Sequence, residues 1–194
     1  MQFPLDIAFK VFAIVPQMYV HDASGLSLGY VRRKLLAFRE SVTIFSDDTQ
    51  TTPIYQIDAD RVIDFSTSYH FSDAAGRSLG YVRRKGMRSL WRAHYIIHVG
   101  ERPVFEVNEQ SALVRFLDGL VGNIPIVNLF TGYFLNPTYI VSRPGGGEVL
   151  RMVKRPSLLE THFGIGKSGP ISPDEQVCAL LSLMMIISME RTRG

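Results

Sequence analysis

The chain has 194 residues, of which 46% are hydrophobic and 20% are charged, and its formal net charge is +3. This composition is that of a globular chain with a large core, and it excludes intrinsic disorder. The small basic excess permits attraction to anionic surfaces but does not require nucleic acid. A chain of this length is expected to form a single domain over residues 1–194.

The amino-terminal segment is not expected to be a signal peptide. Residues 1–10, MQFPLDIAFK, lack the basic start and the small-residue cleavage site of a signal peptide, and we expect them to be a short lead-in. Cys178 is the only cysteine, so no disulfide can form within the chain, and a reducing, cytoplasmic location is predicted. The thiol lies in an apolar segment where it has no reason to ionise, which argues against a nucleophile.

The strongest internal signal is a repeat. Residues 22–34 read DASGLSLGYVRRK and residues 73–85 read DAAGRSLGYVRRK. Each copy predicts a turn followed by a strand that ends in three basic residues. Two copies are too few for a propeller. They predict two similar hairpins in one sheet, with the basic residues at corresponding ends of neighbouring strands.

Most of the chain predicts short strands, rich in Val, Ile, Tyr, Phe and Thr and separated by turn residues. The candidates are residues 11–15, 17–21, 27–34, 42–46, 53–57, 61–65, 69–72, 78–85, 93–99, 103–107, 137–142, 148–154 and 160–165. One exception is the segment at about 109–121, whose apolar residues have helical spacing and predict a short helix.

The last helix is the most informative element. Ser172 is a predicted N-cap, Pro173 occupies the first helical position and Glu175 is placed to complete a capping box. Residues 177–189, VCALLSLMMIISM, are apolar on every side, so a helix over 173–190 has no face for water. This apolar run is shorter than the roughly twenty residues that a membrane-spanning helix needs.

These elements together predict a mainly β (α+β) fold. A helix without a polar face, in a chain otherwise made of strands, is covered by those strands. A barrel of about eleven or twelve strands is wide enough to hold a central helix. We therefore expect a closed antiparallel barrel of about twelve strands around a buried hydrophobic C-terminal helix, with the short helix at about 109–121 in addition.

The repeated turn-strand units, the strand HYIIHV at 94–99 and the terminal SPDEQVCALLSLMMIISM resemble the LURP-one-related family. This family belongs to the superfamily of tubby C-terminal and phospholipid-scramblase domains, and the resemblance implies a twelve-stranded barrel threaded by its last helix. In that superfamily tubby domains bind phosphoinositides and scramblases act on lipids, whereas most LURP-one-like members have no assigned activity. The chain lacks the scramblase acylation stretch and membrane helix, and no tubby lysine-arginine pocket can be matched, so neither activity is carried over.

Motifs for nucleotide or metal chemistry are incomplete. The GKS at 166–168 lacks the glycine that a phosphate loop requires at position 161, and Gly169-Pro170 replaces the following helix. His94 and His98 lie about 13 Å apart if residues 94–99 form a strand, too far to share one metal ion. No cofactor and no metal site are expected. The acidic residues near 47–48 and 58–64 lie beside turn signals and are expected to bond to the backbone.

The best candidates for a functional site are the two basic trios, Arg32, Arg33 and Lys34, and Arg83, Arg84 and Lys85. They predict a non-enzymatic interaction or scaffold domain that binds anionic phospholipid peripherally. Alternatively, basic strand ends only keep the barrel soluble. A scramblase-like lipid-handling protein and a nucleic-acid-associated regulator are the competing hypotheses, although no nucleic-acid-reading module is recognised.

The uncharged stretch at 123–134 either caps the barrel or forms an interface with membrane or protein. The sequence does not determine the oligomeric state.

Overall fold

The computed structural model describes residues 1–10, 15–32, 41–60, 67–84, 94–110, 138–155 and 160–191. These residues form strands and one long helix. The strands are β1 (Leu5–Lys10), β2 (Gln17–His21), β3 (Ser27–Arg32), β4 (Val42–Phe45), β5 (Pro53–Ala59), β6 (Ser68–Asp73), β7 (Ser78–Arg84), β8 (His94–Val99), β9 (Arg102–Gln110), β10 (Thr138–Ser142), β11 (Glu148–Arg155) and β12 (Glu160–Lys167), and the helix is α1 (Pro173–Arg191).

The strands close into a barrel, as predicted. Each strand pairs with its neighbours in sequence, and β1 closes the ring by pairing with β12. All neighbouring pairs are antiparallel. The closing pair runs in continuous register from Leu5 opposite Ile165 to Lys10 opposite Glu160. A closed sheet leaves no exposed edge for another chain to extend.

Strand β1 corrects the prediction of a lead-in over residues 1–10. Leu5, Ile7 and Phe9 are at most 2% exposed and point into the barrel, whereas Asp6 lies on the outer face. The polar residues within MQFPLDIAFK therefore do not interrupt an apolar segment. They are the outer positions of a strand whose side chains alternate between faces.

Helix α1 fills the barrel, as the absence of a polar face predicted. Every residue from 178 to 188 is at most 4% exposed, although these residues cover all sides of the helix. The helix packs against β7 and β8 among other strands. The two buried hydroxyls, of Ser182 and Ser188, each donate to the carbonyl four residues earlier at 2.7 Å, so neither is unsatisfied.

The capping box predicted at the start of α1 is present. The Ser172 backbone N–H donates to Glu175 Oε2 at 2.8 Å, and the Glu175 N–H points to Ser172 Oγ at 3.4 Å. Asp174 and Glu175 lie in the first turn, where acidic side chains stabilise the positive end of the helix dipole.

The barrel has two different ends. The turn end contains the short turns at 22–26, 73–77 and 143–147 and the start of α1. At the opposite end, which we call the distal rim, the odd-numbered strands finish and the even-numbered strands begin. Arg32, Arg84 and Arg155 are the final residues of β3, β7 and β11 at this rim.

Some predicted elements fall partly or wholly outside the described residues. Glu109 and Gln110 are the last two residues of β9, so the helix predicted from about 109 cannot begin before residue 111. Residues 111–121 of that helix, the candidate strand at 61–65 and the stretch at 123–134 lie outside the described residues. The candidate strand at 11–15 also lies outside them, except for Val15, which is not in a strand.

Candidate anion-binding rim

Arg32 and Arg83 occupy equivalent positions in the two repeated hairpins. Val31 and Val82, which precede them, are 3% and 1% exposed and point into the barrel. Alternation along each strand therefore places Arg32 and Arg83 on the outer face, where both are exposed. Because β3 and β7 run in the same direction, both guanidinium groups lie at the distal rim.

The two hairpins are not adjacent, which corrects the prediction that the basic trios share neighbouring strands. Strands β4, β5 and β6 separate β3 from β7. Four strand steps, in a barrel whose strands are tilted, place the two strand ends about 20 Å apart. Arg33, Lys34 and Lys85 lie outside the described residues.

Arg83 lies beside a row of aromatic side chains on the outer surface. Its Nε donates to Ser68 Oγ at 3.0 Å, and its guanidinium lies 5.8 Å from the Tyr81 ring centroid. Tyr81 stacks on His98 with centroids 4.1 Å apart and contacts His70 at 5.2 Å. Burial, and then the charge of Arg83, lower the pKa of His98, which keeps the imidazole neutral beside the arginine.

Arg84, the second member of that trio, has the opposite orientation. It pairs with Tyr95 in the ladder between β7 and β8, and Tyr95 is 1% exposed. Arg84 therefore belongs to the inward-facing set at the end of the strand and is only partly exposed. Of the two arginines of this trio, Arg83 is therefore the one that faces outward.

The first hairpin repeats the outer aromatic pair. Tyr19 and Tyr30 face each other across β2 and β3 with ring centroids 4.8 Å apart, as His70 and Tyr81 do across β6 and β7. Lys10 Nζ lies 4.7 Å from the Tyr19 centroid, an attractive cation–π distance. Burial, and then Tyr19, raise the pKa of Tyr30. A cation therefore lies next to each aromatic pair: Lys10 of β1 in the first case and Arg83 of β7 in the second.

The sequence reading missed further cations at this rim. Lys154 and Arg155 end β11, and Arg155 is exposed. The signal that could have identified them is the segment GGGEVLRMVKR at 145–155, a glycine turn followed by a strand with a basic end. It was missed because Arg143 replaces the aspartate that begins the other two turns.

The carboxylates of the turn end have a structural role, as predicted for those near 47–48. Asp22 Oδ1 accepts the backbone N–H groups of Ser24 and Leu26 and the Ser24 hydroxyl. Hydrogen bonding, first from the Ser24 side chain, lowers the pKa of Asp22 to about 2. Asp47 is bonded in the same way by Thr49, and Asp73 by the amides of Ala75 and Arg77.

The remaining motifs do not form a site for a nucleotide or a metal. Gly166 and Lys167 of the GKS segment are in β12, so they do not form a phosphate loop. His94 approaches Glu106 at 3.5 Å, and His98 is stacked on Tyr81. Within the described part of the chain, no three His, Cys, Asp or Glu side chains are placed to hold a metal ion.

Cys178 is buried inside the barrel, 1% exposed, with Sγ 3.4 Å from the Leu79 carbonyl oxygen. Burial, with a smaller effect from Asp174, raises the pKa of the thiol to about 12. The thiolate is therefore scarce at neutral pH, which agrees with the prediction that Cys178 is not a nucleophile.

A closed twelve-stranded barrel with a hydrophobic helix along its interior defines the architectural class of this protein. The family description LURP-one-related matches residues 28–167, from β3 to the end of β12, and the chain belongs to this family. Comparison with curated proteins and with solved structures gave no match. In the part of the chain that is described, no helix combines the length and apolar character needed to cross a bilayer.

Proposed function

We propose that this protein is a non-enzymatic, cytoplasmic interaction module that binds anionic phospholipid surfaces peripherally through the distal rim. The observation that carries this proposal is the placement of Arg32 and Arg83, both outward and exposed, at the same end of the barrel. Within the described part of the chain, neither arginine is in an ion pair, so both charges are available to a ligand.

Acidic groups on the outer wall of the barrel oppose the attraction of an anionic surface to these arginines. Asp60 lies 3.0 Å from His70 Nε2, and Glu106 lies 3.5 Å from His94 Nε2. His162 lies between two carboxylates, 2.9 Å from Asp6 and 3.3 Å from Glu160. These contacts fix the carboxylates on the barrel wall, but a neutral imidazole does not cancel their charge, so they reduce the positive potential around the arginines.

The expected strength of binding is modest. A basic side chain at an anionic membrane surface contributes about 1 kcal/mol, and this attraction falls off over a Debye length. A few such residues give reversible association but not a permanent anchor. Binding is therefore expected to require anionic lipid and to be lost at high salt.

Co-sedimentation with vesicles tests the proposal. The protein is mixed with neutral vesicles or with vesicles containing phosphatidylserine, at about 0.05 M and 0.5 M salt, which span weak and strong screening. We expect pelleting with the anionic vesicles at low salt only. Arg32→Ser with Arg83→Ser should weaken it by about tenfold or more.

The matched control removes the same charge from the turn end. Arg77 and Arg102 are exposed at that end, so Arg77→Ser with Arg102→Ser changes the net charge equally without altering the distal rim. Equal loss of binding in both double variants would show that only net charge matters and would contradict the proposal. Movement of lipid between the two leaflets of a vesicle would instead favour a scramblase-like activity.

A further inference from the structure

The five histidines of the chain all lie on the outer wall of the barrel. Each is next in sequence to a core residue of the same strand, and these core residues are Val20, Phe71, Tyr95, Ile97 and Phe163. Alternation along a strand therefore turns every imidazole outward. Histidine is the side chain that changes charge between about pH 5 and pH 8, so the charge of this wall depends on pH in that range.

Arg83 lies midway between two carboxylates in one row across the outer wall. On one side, Ser68 pairs with Arg83, and the Asp60 N–H donates to the Ser68 carbonyl at 3.0 Å. On the other side, Ile96 pairs with both Arg83 and Glu106. Each acidic residue is therefore two strand steps, about 10 Å, from Arg83. This separation is close to the Debye length at physiological salt, so both negative charges lower the potential around the arginine.

Each of these two carboxylates contacts a histidine. Asp60 Oδ1 lies 3.0 Å from His70 Nε2, and Glu106 Oε2 lies 3.5 Å from His94 Nε2. Within the described part of the chain, Nε2 of His94 is shielded from solvent and makes no hydrogen bond. A proton taken up by either imidazole converts the contact into an ion pair, which cancels the charge of that carboxylate. Two protons therefore remove the negative charge on both sides of Arg83.

The other neighbours of His70 are compatible with a charged imidazole. Asp58 faces His70 across β5 and β6, and the Gln56 amide donates to its two oxygens at 3.2 and 3.3 Å. On the β7 side, the Tyr81 ring centroid lies 5.2 Å from that of His70. An aromatic ring attracts a nearby cation. Protonated His70 therefore lies between two carboxylates and an aromatic ring.

The wall around His94 contains no other described carboxylate that faces it. His94 pairs with the uncharged Asn108 of β9, and on its other side β7 ends at the inward-facing Arg84. His98 lies nearer to the turn end. Burial, and then the charge of Arg83, lower the pKa of His98. Its imidazole therefore remains neutral in weak acid and does not supply the charge.

We propose that acid switches on the binding of anionic membrane at Arg83, through protonation of His70 and His94. This inference rests on the proposed function and specifies how that same site is regulated. At neutral pH, Asp60 and Glu106 oppose the approach of an anionic surface to the arginine. In weak acid both carboxylates are paired with imidazolium groups, so the local charge is more positive by two.

Vesicle binding by the full chain at two pH values tests the inference. The vesicles contain phosphatidylglycerol, whose phosphodiester stays ionised throughout, and the buffers are at about pH 7.5 and about pH 5.5, across the range in which histidine changes charge. Two added charges near the membrane should tighten binding about tenfold or more at the lower pH. Vesicles of neutral phosphatidylcholine should not bind at either pH. The thermal midpoint at both pH values checks that the protein is folded.

Two double variants should shift binding in opposite directions. His70→Gln with His94→Gln cannot take up the two protons, so in acid it should bind only as tightly as wild type does at neutral pH. Asp60→Asn with Glu106→Gln removes the two negative charges permanently, so at neutral pH it should bind as tightly as wild type does in acid. A folding defect would weaken binding in both variants and cannot produce this gain.

The matched control removes two histidines from the opposite side of the barrel. His21 and His162 lie on β2 and β12, each five strand steps from β7 in the ring. His21→Gln with His162→Gln loses as many titrating groups as the first variant but should keep the acid effect. Equal loss of the acid effect in both histidine variants would show that only total charge matters and would overturn the inference.

The outcomes separate this inference from the proposed function. If wild-type protein binds phosphatidylglycerol vesicles at neither pH, both are wrong. If it binds them within about twofold at the two pH values, the acid switch is wrong and the proposed function stands. Absence of a gain in the variant of Asp60 and Glu106 also overturns the switch. Acid-induced binding to phosphatidylcholine would overturn it as well, because charge would then not be the cause.

Discussion

Arg143, at the start of the turn between β10 and β11, forms two parallel hydrogen bonds with Glu175 in the first turn of α1. The distances are 2.6 Å from Nη1 to Oε1 and 3.0 Å from Nη2 to Oε2. Arg143 also donates to the Pro170 carbonyl at 3.2 Å and lies 4.6 Å from the Phe105 ring centroid. One side chain therefore joins a hairpin, the linker and the beginning of the central helix.

Loss of this contact should destabilise the barrel moderately. Arg143→Met is expected to lower the free energy of unfolding by about 1–2 kcal/mol, because a bidentate pair is strong but water screens it here. The screening is substantial, since the side chains are 37% and 16% exposed. Glu175→Gln should cost less, because the amide oxygen can still accept from Ser172. Urea unfolding of both single variants and the double variant measures the coupling.

A more exposed pair provides the control. The pair between Arg77 and Asp73 has an arginine side chain that is 78% exposed, so Arg77→Met should change the free energy of unfolding by less than about 0.5 kcal/mol. If Arg143→Met costs no more than this control, the proposed role of Arg143 at the entry of the helix is incorrect.

Acid should remove stability that the turn-end carboxylates provide. The pKa of Asp22 is lowered from its ordinary 3.8 to about 2, first by the Ser24 hydroxyl, and that of Asp73 is lowered first by the Arg77 amide. A carboxyl with a lowered pKa stabilises the fold fully above its unfolded pKa and loses this contribution as pH falls through its folded pKa. The contribution of Asp22 should therefore disappear between about pH 4 and pH 2.

Asp22→Asn tests this dependence, because it removes the titrating group and keeps a side chain that can accept from the same amides. The thermal midpoint of the variant should fall less steeply than that of wild type between about pH 4 and pH 2. Asp48→Asn, the same substitution at an exposed position in another turn of the same end, is the control. Identical slopes in wild type and Asp22→Asn would contradict the assignment.

The barrel fold could be predicted because the terminal helix restricts the arrangements that the strands can adopt. The terminal helix has no polar face, and in a chain of strands only a barrel covers it. Strand β1 was missed because Asp6 and Lys10 break the apolar run within residues 1–10, although such alternation is what a half-buried strand requires. The basic end of β11 was missed because recognition relied on Asp22 and Asp73. The turn before β11 begins with Arg143, and what the three strand pairs share is a register shift next to the turn.

The arrangement of the basic residues was less predictable. The sequence indicates which residues end a strand, but their spacing in the barrel depends on how many strands intervene. The candidate strands at 42–46, 53–57 and 61–65 already implied that β3 and β7 are not neighbours, and the prediction of adjacent trios ignored them. Val82 is buried, so Arg83 faces outward and Arg84 faces inward. The residue types in the motif do not show which of its positions are buried.

Equivalent glycines in two hairpins should respond differently to alanine. A Cβ at Gly80 would lie 2.1 Å from the His98 carbonyl oxygen, which belongs to the backbone of the paired strand β8. A Cβ at Gly29 would meet only Ile44 Cγ2, at 3.0 Å, and a side chain can move. Gly80→Ala should therefore cost about 3 kcal/mol or more, and Gly29→Ala about 1 kcal/mol.

The control for the glycine comparison is Gly147→Ala, because no heavy atom lies within 4 Å of a Cβ built there. This variant should stay within about 0.5 kcal/mol of wild type in urea unfolding. If the Gly80→Ala variant still folds, the NMR chemical shifts that differ from those of wild type should belong mainly to residues of β7 and β8. Equal stability of the Gly29 and Gly80 variants would mean that the backbones of β7 and β8 approach each other less closely than this contact requires.

The thiol of Cys178 provides a direct test of the buried helix. It is 1% exposed, and burial raises its pKa to about 12, so a thiol reagent at pH 8 should modify it only when the barrel opens. Leu183→Ala, at a position that is 0% exposed, should cost about 2–5 kcal/mol and accelerate the labelling. Ser182→Ala should change the rate little, because that hydroxyl bonds only within the helix, to the Cys178 carbonyl. Rapid labelling of wild type while its circular dichroism is unchanged would show that α1 leaves the barrel without unfolding, and a helix held on all sides cannot do so.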